Sequence, residues 1–289
     1  MSSRRAGLEN IKSADAPTSN ASLWLNKWLD KKDDKDNTAK HTYSRLDKIE
    51  GEKDKKDDKD NTAKHNLVKE VVEKASNQEQ QTLYKSFFKR WEQTLKDYGV
   101  KDENTRKARV RGRMVVGLGS ESVLETSITL HHTYGVPYIP GSALKGLARH
   151  YAKNYVDGWD DNHNHVDGRT NEHSLIVFGN EKKSDDASAG YITFFDALYV
   201  PPQHGSEKFL HSDVMTVHHQ DYYMKANVAP ADWDDPIPVP FISATGTYLL
   251  ALAGPEDWIE PTFKLLKLAL SEEGIGAKTS SGYGRMTVI

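Results

Sequence analysis

The chain has 289 residues, with 39 Lys and Arg against 42 Asp and Glu, a net charge of -3. That length holds one sizeable core or two, and the near balance of charge excludes a global basic field, so any polyanion site must be a local patch. Cysteine is absent, which excludes a disulfide framework and thiolate metal sites and fits a reducing, cytoplasmic setting. No apolar run approaches the ~18 residues that span a bilayer, and the first twenty residues lack the apolar centre of a secretory signal.

The variable, charged segment 1–65 comes first. Trp24 and Trp28 lie four apart in "LWLNKWL", a short amphipathic helix in search of a surface. The twelve residues "DKKDDKDNTAKH" occur at 30–41 and again at 54–65. Their period suits a solenoid, but each copy offers one alanine and no larger aliphatic, so stacked copies would bury nothing. A duplicated solvated helix or linker is the reading that fits, with a partner-docking element as the alternative. Removing Asp54 to Asn77 should therefore leave the core intact. Segment 66–105 is helical: Leu67, Val68, Val71, Val72 and Ala75, then Leu83, Tyr84, Phe87, Phe88, Trp91 and Leu95, recur at three and four, with Gly99 as C-cap.

From 106 the pattern changes. Lys107, Arg109, Arg111 and Arg113 alternate with Ala108, Val110, Gly112 and Met114, which predicts a strand over 106–119 with four cations on one face. Four like charges in a row repel, so a polyanion is the expected neighbour, with the wet face of an ordinary strand as the alternative. "SVLE" and "SITLHH" are apolar pieces. Ser142 is the expected N-cap of a helix over 143–156. Residues 157–190 read as an insertion with the apolar island "LIVF". "GYITFFDALYV" is a strand, 201–240 an irregular second insertion with one possible strand, "FISATGTYLLALAG" a strand, 255–274 a helix and "YGRMTVI" a strand. Strand, helix, strand, strand, helix, strand is the split βαβ order of an α+β, ferredoxin-like (RRM-like, βαββαβ) domain over 106–289, preceded by an N-terminal helical extension.

The stretch "GIGAKTSSGYGRM", 274–286, looks built for phosphate. A Walker A loop would need glycine where Ala277 and Glu272 stand, and a dinucleotide fingerprint would need it at Thr279. A phosphodiester backbone held without base specificity fits better, and a plain connection whose glycines only serve turns stays open. In a ferredoxin-like sheet this loop neighbours the helix start at Gly141 and Ser142, an anion site in its own right. Lys145 in the first helical turn opposes the dipole unless something negative lies nearby. The basic strand, the helix start and the glycine loop are thus expected at one edge.

"GVPYIPGSALKGLAR" followed by "GIGAKTSSGYGRM" resembles the RAMP superfamily, the RNA-binding backbone proteins of CRISPR systems, and "DVMTVHHQDYY" with "PADWDDPIPVPFI" narrows the resemblance to type III-B (Cmr) effector subunits. The resemblance covers about 106–289. It implies a non-catalytic subunit without cofactor or metal, capping the filament near the 3′ end of the guide crRNA. Its partners would be that crRNA and the other Cmr backbone subunits, with target RNA left open and no membrane contact. Gly141, Ser142 and Lys145 would hold guide phosphates. Gly274, Gly276, Lys278, Thr279, Ser280, Ser281, Gly282, Tyr283, Gly284 and Arg285 would wrap the same strand. His218, His219, Tyr222 and Tyr223 match the motif without an assigned role; the tyrosines either fill the core or stack on an unpaired base. Two rivals remain. A protein-only scaffold would show no salt-dependent RNA binding. An endoribonuclease processing precursor guide RNA would need acid–base groups among His131, His132, His150 and the cluster His163, His165 and His173, whose spacing matches no strong zinc pattern.

Overall fold

The computed structural model describes residues 53–75, 78–120, 126–156, 159, 172–180, 187–203, 207–219, 222–223, 227–232 and 236–289. The first repeat copy, Trp24, Trp28, "SVLE", His163 and His165 lie outside them. Two helices open the described chain, α1 (Lys53–Ala75) and α2 (Gln78–Asp97). The spacing read from sequence is the buried face: Val68, Val71, Val72 and Ala75 on α1, and Tyr84, Phe88 and Leu95 on α2, belong to the same core as the sheet. Gly99 closes α2 at φ 93°, where Val100 N–H donates to Leu95 O at 2.9 Å, as a left-handed C′ glycine should.

The main sheet is mixed in composition with helices but antiparallel throughout. Its strands are β1 (Thr105–Val110), β2 (Tyr138–Ile139), β5 (Thr193–Phe194), β6 (Ala197–Tyr199), β9 (Thr247–Ala253) and β10 (Met286–Val288), in the order β10-β1-β9-β6-β2, with β5 also on β9. Short strands β3 (Gly179–Asn180) and β4 (Ser188–Ala189) pair with each other. Strands β7 (Leu210–Val217) and β8 (Ile237–Ala244) form a separate hairpin, against which α1 packs. Helices α3 (Gly141–Tyr155) and α5 (Glu256–Glu272) lie side by side, and a short α4 (Glu172–Phe178) stands before β3.

Five sequence expectations need correction. The strand expected over 106–119 pairs in the ladder only to Val110. Beyond it, residues 111–115 run between the glycine loop and the end of β8, through Met114 bridged to Ala244. "LIVF" ends a helix. The second insertion holds β7 and runs into β8, a hairpin of two eight-residue strands in place of one possible strand. "FISATGTYLLALAG" is two strands broken at Gly246, which has φ 102° and a Cβ position only 2.4 Å from the Tyr199 ring. Removing Asp54 to Asn77 would take Val68, Val71, Val72 and Ala75 out of the core, so the expectation that this deletion is harmless fails.

Candidate nucleic-acid interface

The glycine loop is a defined structure, and much of its backbone is already committed. Ile275 N–H donates to Gly284 O, Ala277 N–H to Val115 O, Gly284 N–H to Arg113 O, and Tyr283 N–H to Lys278 O. A single 3₁₀ turn spans Thr279–Ser281, entered through Lys278 at φ 62°. The glycines meet this geometry: a Cβ at Gly276 would stand 2.2 Å from Val115 O, and one at Gly284 1.9 Å from Ile275 O. The loop is also fastened to the hairpin. Tyr283 donates to Asp213 Oδ2 at 3.1 Å, Arg113 Nε lies 3.8 Å from the same oxygen, and the Lys278 ammonium sits 5.7 Å from the centroid of Phe241. Burial, then Asp213, pushes the Tyr283 phenol up. Among the described residues, the N–H groups of Gly276, Thr279 and Ser280 donate to no protein acceptor. Free N–H groups around a left-handed residue and the turn after it make a concave donor set for an anion.

These three residues line one cleft of about 650 Å³. Its other wall is the face of α3 carrying Ala143, Gly146, Leu147 and His150, at the i, i+3, i+4, i+7 spacing of a helix stripe. Gly146 is exposed in the middle of that helix, and a Cβ added there would meet nothing within 4 Å. Glycine in a helix interior costs roughly 0.5–1 kcal/mol against alanine; no packing inside the protein requires it. Its effect is to open the floor of the cleft. Glu272, Glu273 and Tyr155 also line it.

Loop and α3 therefore meet, as strand order implied, but through a different helix face. Gly141, Ser142 and Lys145 do not line the cleft. Helix α3 begins at Gly141 with Pro140 as N-cap, not Ser142. Gly141 is buried against the backbone of Phe194, where a Cβ would stand 2.1 Å from the carbonyl oxygen, and its N–H donates to Asp196 Oδ1 at 2.7 Å. An internal carboxylate thus already occupies part of the expected anion site. The basic strand also stands outside the cleft. Lys107 is exposed; Arg109 lies 3.6 Å from Glu207; Arg111 donates to Thr287 Oγ1 at 2.9 Å and Ser271 Oγ at 3.0 Å. The mutual repulsion inferred from sequence is relieved within the fold. Arg285 lines the cleft and donates to Ser271 O at 3.2 Å, where it caps the end of α5. Ser281 and Gly282 are exposed outside the cleft. Gly146, Tyr155 and Glu273 were missed by the sequence reading, although a glycine in the middle of a predicted helix was a readable signal; His150 was named there only as an acid–base group of the endoribonuclease rival.

Tyr222 and Tyr223 are 49% and 75% exposed, with ring centroids 5.3 Å apart; the core-filling reading is wrong. His131 lies half-buried between Phe87 and Tyr134, away from the cleft, and burial followed by His132 lowers its pKa. His150 is the histidine in the cleft wall. His173 is exposed, its ring 5.2 Å from that of Trp258. No group of three or more metal-ligating side chains occurs among the described residues, and none of the described helices is long and apolar enough to cross a membrane.

An antiparallel sheet thus carries helices α3 and α5, and a glycine-rich loop leads into its last strand. The RAMP superfamily profile matches residues 107–287, and the chain belongs to that superfamily. It is homologous to the CRISPR system Cmr subunit Cmr6 of Pyrococcus furiosus, with 32% identity over 274 residues, covering 76% of this chain and 80% of the relative. The solved type III-B Cmr-beta complex bound to cognate target RNA contains a chain that superposes with a TM-score of 0.56 at 21% identity, covering 84% of this chain and 78% of that one. The crystal structure of Cmr6 from Pyrococcus furiosus matches at 33% identity over 64% of this chain and 97% of that one, with a TM-score of 0.41.

Proposed function

We propose that this chain is a non-catalytic RNA-binding subunit of a cytoplasmic type III-B Cmr effector complex, capping the backbone filament near the 3′ end of the guide crRNA. The homology to a Cmr subunit supports the assembly, and the RNA-bound complex in which a similar fold occurs supports RNA as the ligand. The sheet order β10-β1-β9-β6, with α3 after β1 and α5 after β9, supports a ferredoxin-like core. Guide crRNA and neighbouring Cmr subunits are its partners in this reading. The exposed Tyr222 and Tyr223, in the connection between β7 and β8, suit stacking on an unpaired base.

The observation that carries the reading is the cleft. Free N–H groups at Gly276, Thr279 and Ser280 face a helix wall opened by Gly146, which lets a phosphodiester strand approach the α3 backbone. The experiment follows from Gly146. Gly146→Ala should raise stability by about 0.5–1 kcal/mol, and Gly146→Phe should fold while filling the cleft. Filter binding of the full chain to labelled crRNA should then show Gly146→Phe at least tenfold weaker, for all sequences alike. Unchanged affinity would remove RNA from the cleft. The endoribonuclease rival gains one observation, His150 in the cleft wall with Glu273 at 3.8 Å; the same titration run on repeat RNA would show cleavage products lost in His150→Ala if that rival held.

A further inference from the structure

Two kinds of chemistry line the cleft. The loop supplies the N–H groups of Gly276, Thr279 and Ser280, which donate to no protein acceptor among the described residues. Glu272 and Glu273 line the same cleft. These carboxylates stand at the C-terminal end of α5, the end of a helix that disfavours negative charge, and α5 has no basic residue in its last turn. Glu272 is used internally: it accepts the Tyr151 hydroxyl at 2.7 Å, and this bond, more than burial, pushes the tyrosine up to about 12. Glu273 is not used in this way. Its side chain is 20% exposed, and among the described residues its partner is His150 Nε2 at 3.8 Å, beyond hydrogen-bond reach. Next to it, Tyr155 is 64% exposed, its ring held 4.8 Å from that of Tyr151. A half-buried carboxylate with spare acceptor capacity and an open aromatic face therefore line the same cleft as the loop's N–H donors.

We propose that Glu273 reads the ribose of the strand in the cleft, accepting a hydrogen bond from a 2′-hydroxyl, while Tyr155 stacks on the attached base. The two carboxylates repel a phosphate and the loop N–H groups attract one, so in this assignment the nucleotide puts its phosphate at Thr279 and Ser280 and its sugar at Glu273. A deoxyribose has no hydroxyl to donate there and leaves the carboxylate unpaired in a half-buried wall. Glu273 is on this argument the residue that separates RNA from DNA, and Tyr155 supplies affinity that is blind to the sugar.

The inference rests on the cleft being the RNA site, and the experiment keeps the two apart. The full chain is titrated with matched single-stranded RNA, DNA and 2′-O-methyl RNA oligonucleotides at fixed ionic strength, in wild type, Glu273→Ala, Tyr155→Ala and Gly146→Phe, each checked by thermal melting. Wild type should prefer RNA over both analogues by about tenfold or more, the weight of a hydrogen bond to a charged group. Glu273→Ala should lose that preference through weaker RNA binding, with DNA binding unchanged or slightly tighter as a negative charge goes. Tyr155→Ala should weaken RNA and DNA alike by about tenfold. If Gly146→Phe weakens RNA binding while Glu273→Ala keeps the wild-type ratio of RNA to DNA affinity, the ribose assignment is wrong and the cleft reading stands. If Gly146→Phe leaves RNA binding intact, the cleft is not the site and both fall.

Discussion

Two glycines within the last eight residues of the chain show how far a motif's residues are fixed by the fold before any ligand is considered. Gly282 and Gly284 both have positive φ, 87° and 72°, but only Gly284 is enclosed: a Cβ there would meet Ile275 O at 1.9 Å, while one at Gly282 would meet nothing within 4 Å. Gly282→Ala should cost only the left-handed penalty of about 1–2 kcal/mol. Gly284→Ala should cost distinctly more, because the backbone bond from Ile275 to Gly284 must also move; equal melting temperatures for the two variants would contradict this. A glycine-rich signature is thus partly a folding signature. Histidines make a second point at this scale. His131 and His211 both have pKa values lowered chiefly by burial, His211 next by Arg113. A histidine depressed below its unfolded value near 6.5 contributes stability that is complete above that pH and is lost as pH falls below it, because the unfolded chain takes the proton first. The melting temperature should therefore drop between pH 7.5 and pH 5.5, and the drop should be smaller in His131→Phe. A pH slope identical in the two proteins would show that His131 titrates freely in the fold.

At the scale of elements, β1 and its continuation separate what sequence pattern can and cannot see. The alternation Lys107, Ala108, Arg109, Val110 is a period-two strand, exposed and buried in turn, and it was legible because strand burial is local geometry. It fails first at Gly112, exposed beside exposed Arg111, and again at Val115, buried beside buried Met114, because this stretch exchanges hydrogen bonds with residues 244, 277, 284 and 285, all at least 130 residues away. Hairpin β7–β8 was hidden for a related reason. Pro238 and Pro240 read as strand breakers, yet a two-stranded ribbon leaves alternate N–H positions outside the pair, where proline is tolerated. The meeting of loop and α3 followed from strand order, whereas the helix face that meets the loop depended on α3 beginning at Gly141, pressed against Phe194. The four cations consequently differ in expected effect. Lys107→Glu and Arg109→Gln should fold like wild type, since Lys107 is exposed and the Arg109–Glu207 pair lies at the surface, where such pairs are worth little. Arg111→Glu places a carboxylate beside Ser271 in the last turn of α5 and removes two hydrogen bonds, so it should lower the melting temperature by several degrees. For RNA, each cation that contacts a phosphate should flatten the slope of log affinity against log salt by about one when neutralised. A full slope retained in Lys107→Glu and Arg109→Gln would place the strand outside the RNA track, with the cleft alone carrying the backbone.

For the molecule as a whole, the question is where the N-terminal region stops being an addition and becomes part of the core. The superfamily match begins at residue 107, yet α1 packs on hairpin β7–β8 and buries Val68, Val71, Val72 and Ala75, while the Tyr84 hydroxyl on α2 donates to Tyr199 O at 2.5 Å and the ring is buried deeply enough to push its pKa well up. The hairpin so covered is the one that holds the glycine loop through Asp213 and Phe241. Support for the loop therefore passes from α1 through the hairpin. The two repeat copies make this testable, because either can be removed while the other is kept. Deleting 54–77 removes one copy and the buried face of α1 together; deleting 30–41 removes the other copy and leaves 42–289 untouched. The first deletion should unfold or strongly destabilise the chain and weaken RNA binding with it. The second should leave the melting temperature within a degree or two of wild type, since the repeat has a single alanine among charged and polar residues and nothing larger to bury. Val71→Ala isolates the packing contribution without changing length and should cost about 2 kcal/mol, two methyl groups' worth of burial plus any cavity left behind. If the two deletions melt alike and Val71→Ala is neutral, α1 is an appendage, and the hairpin holds the loop unaided.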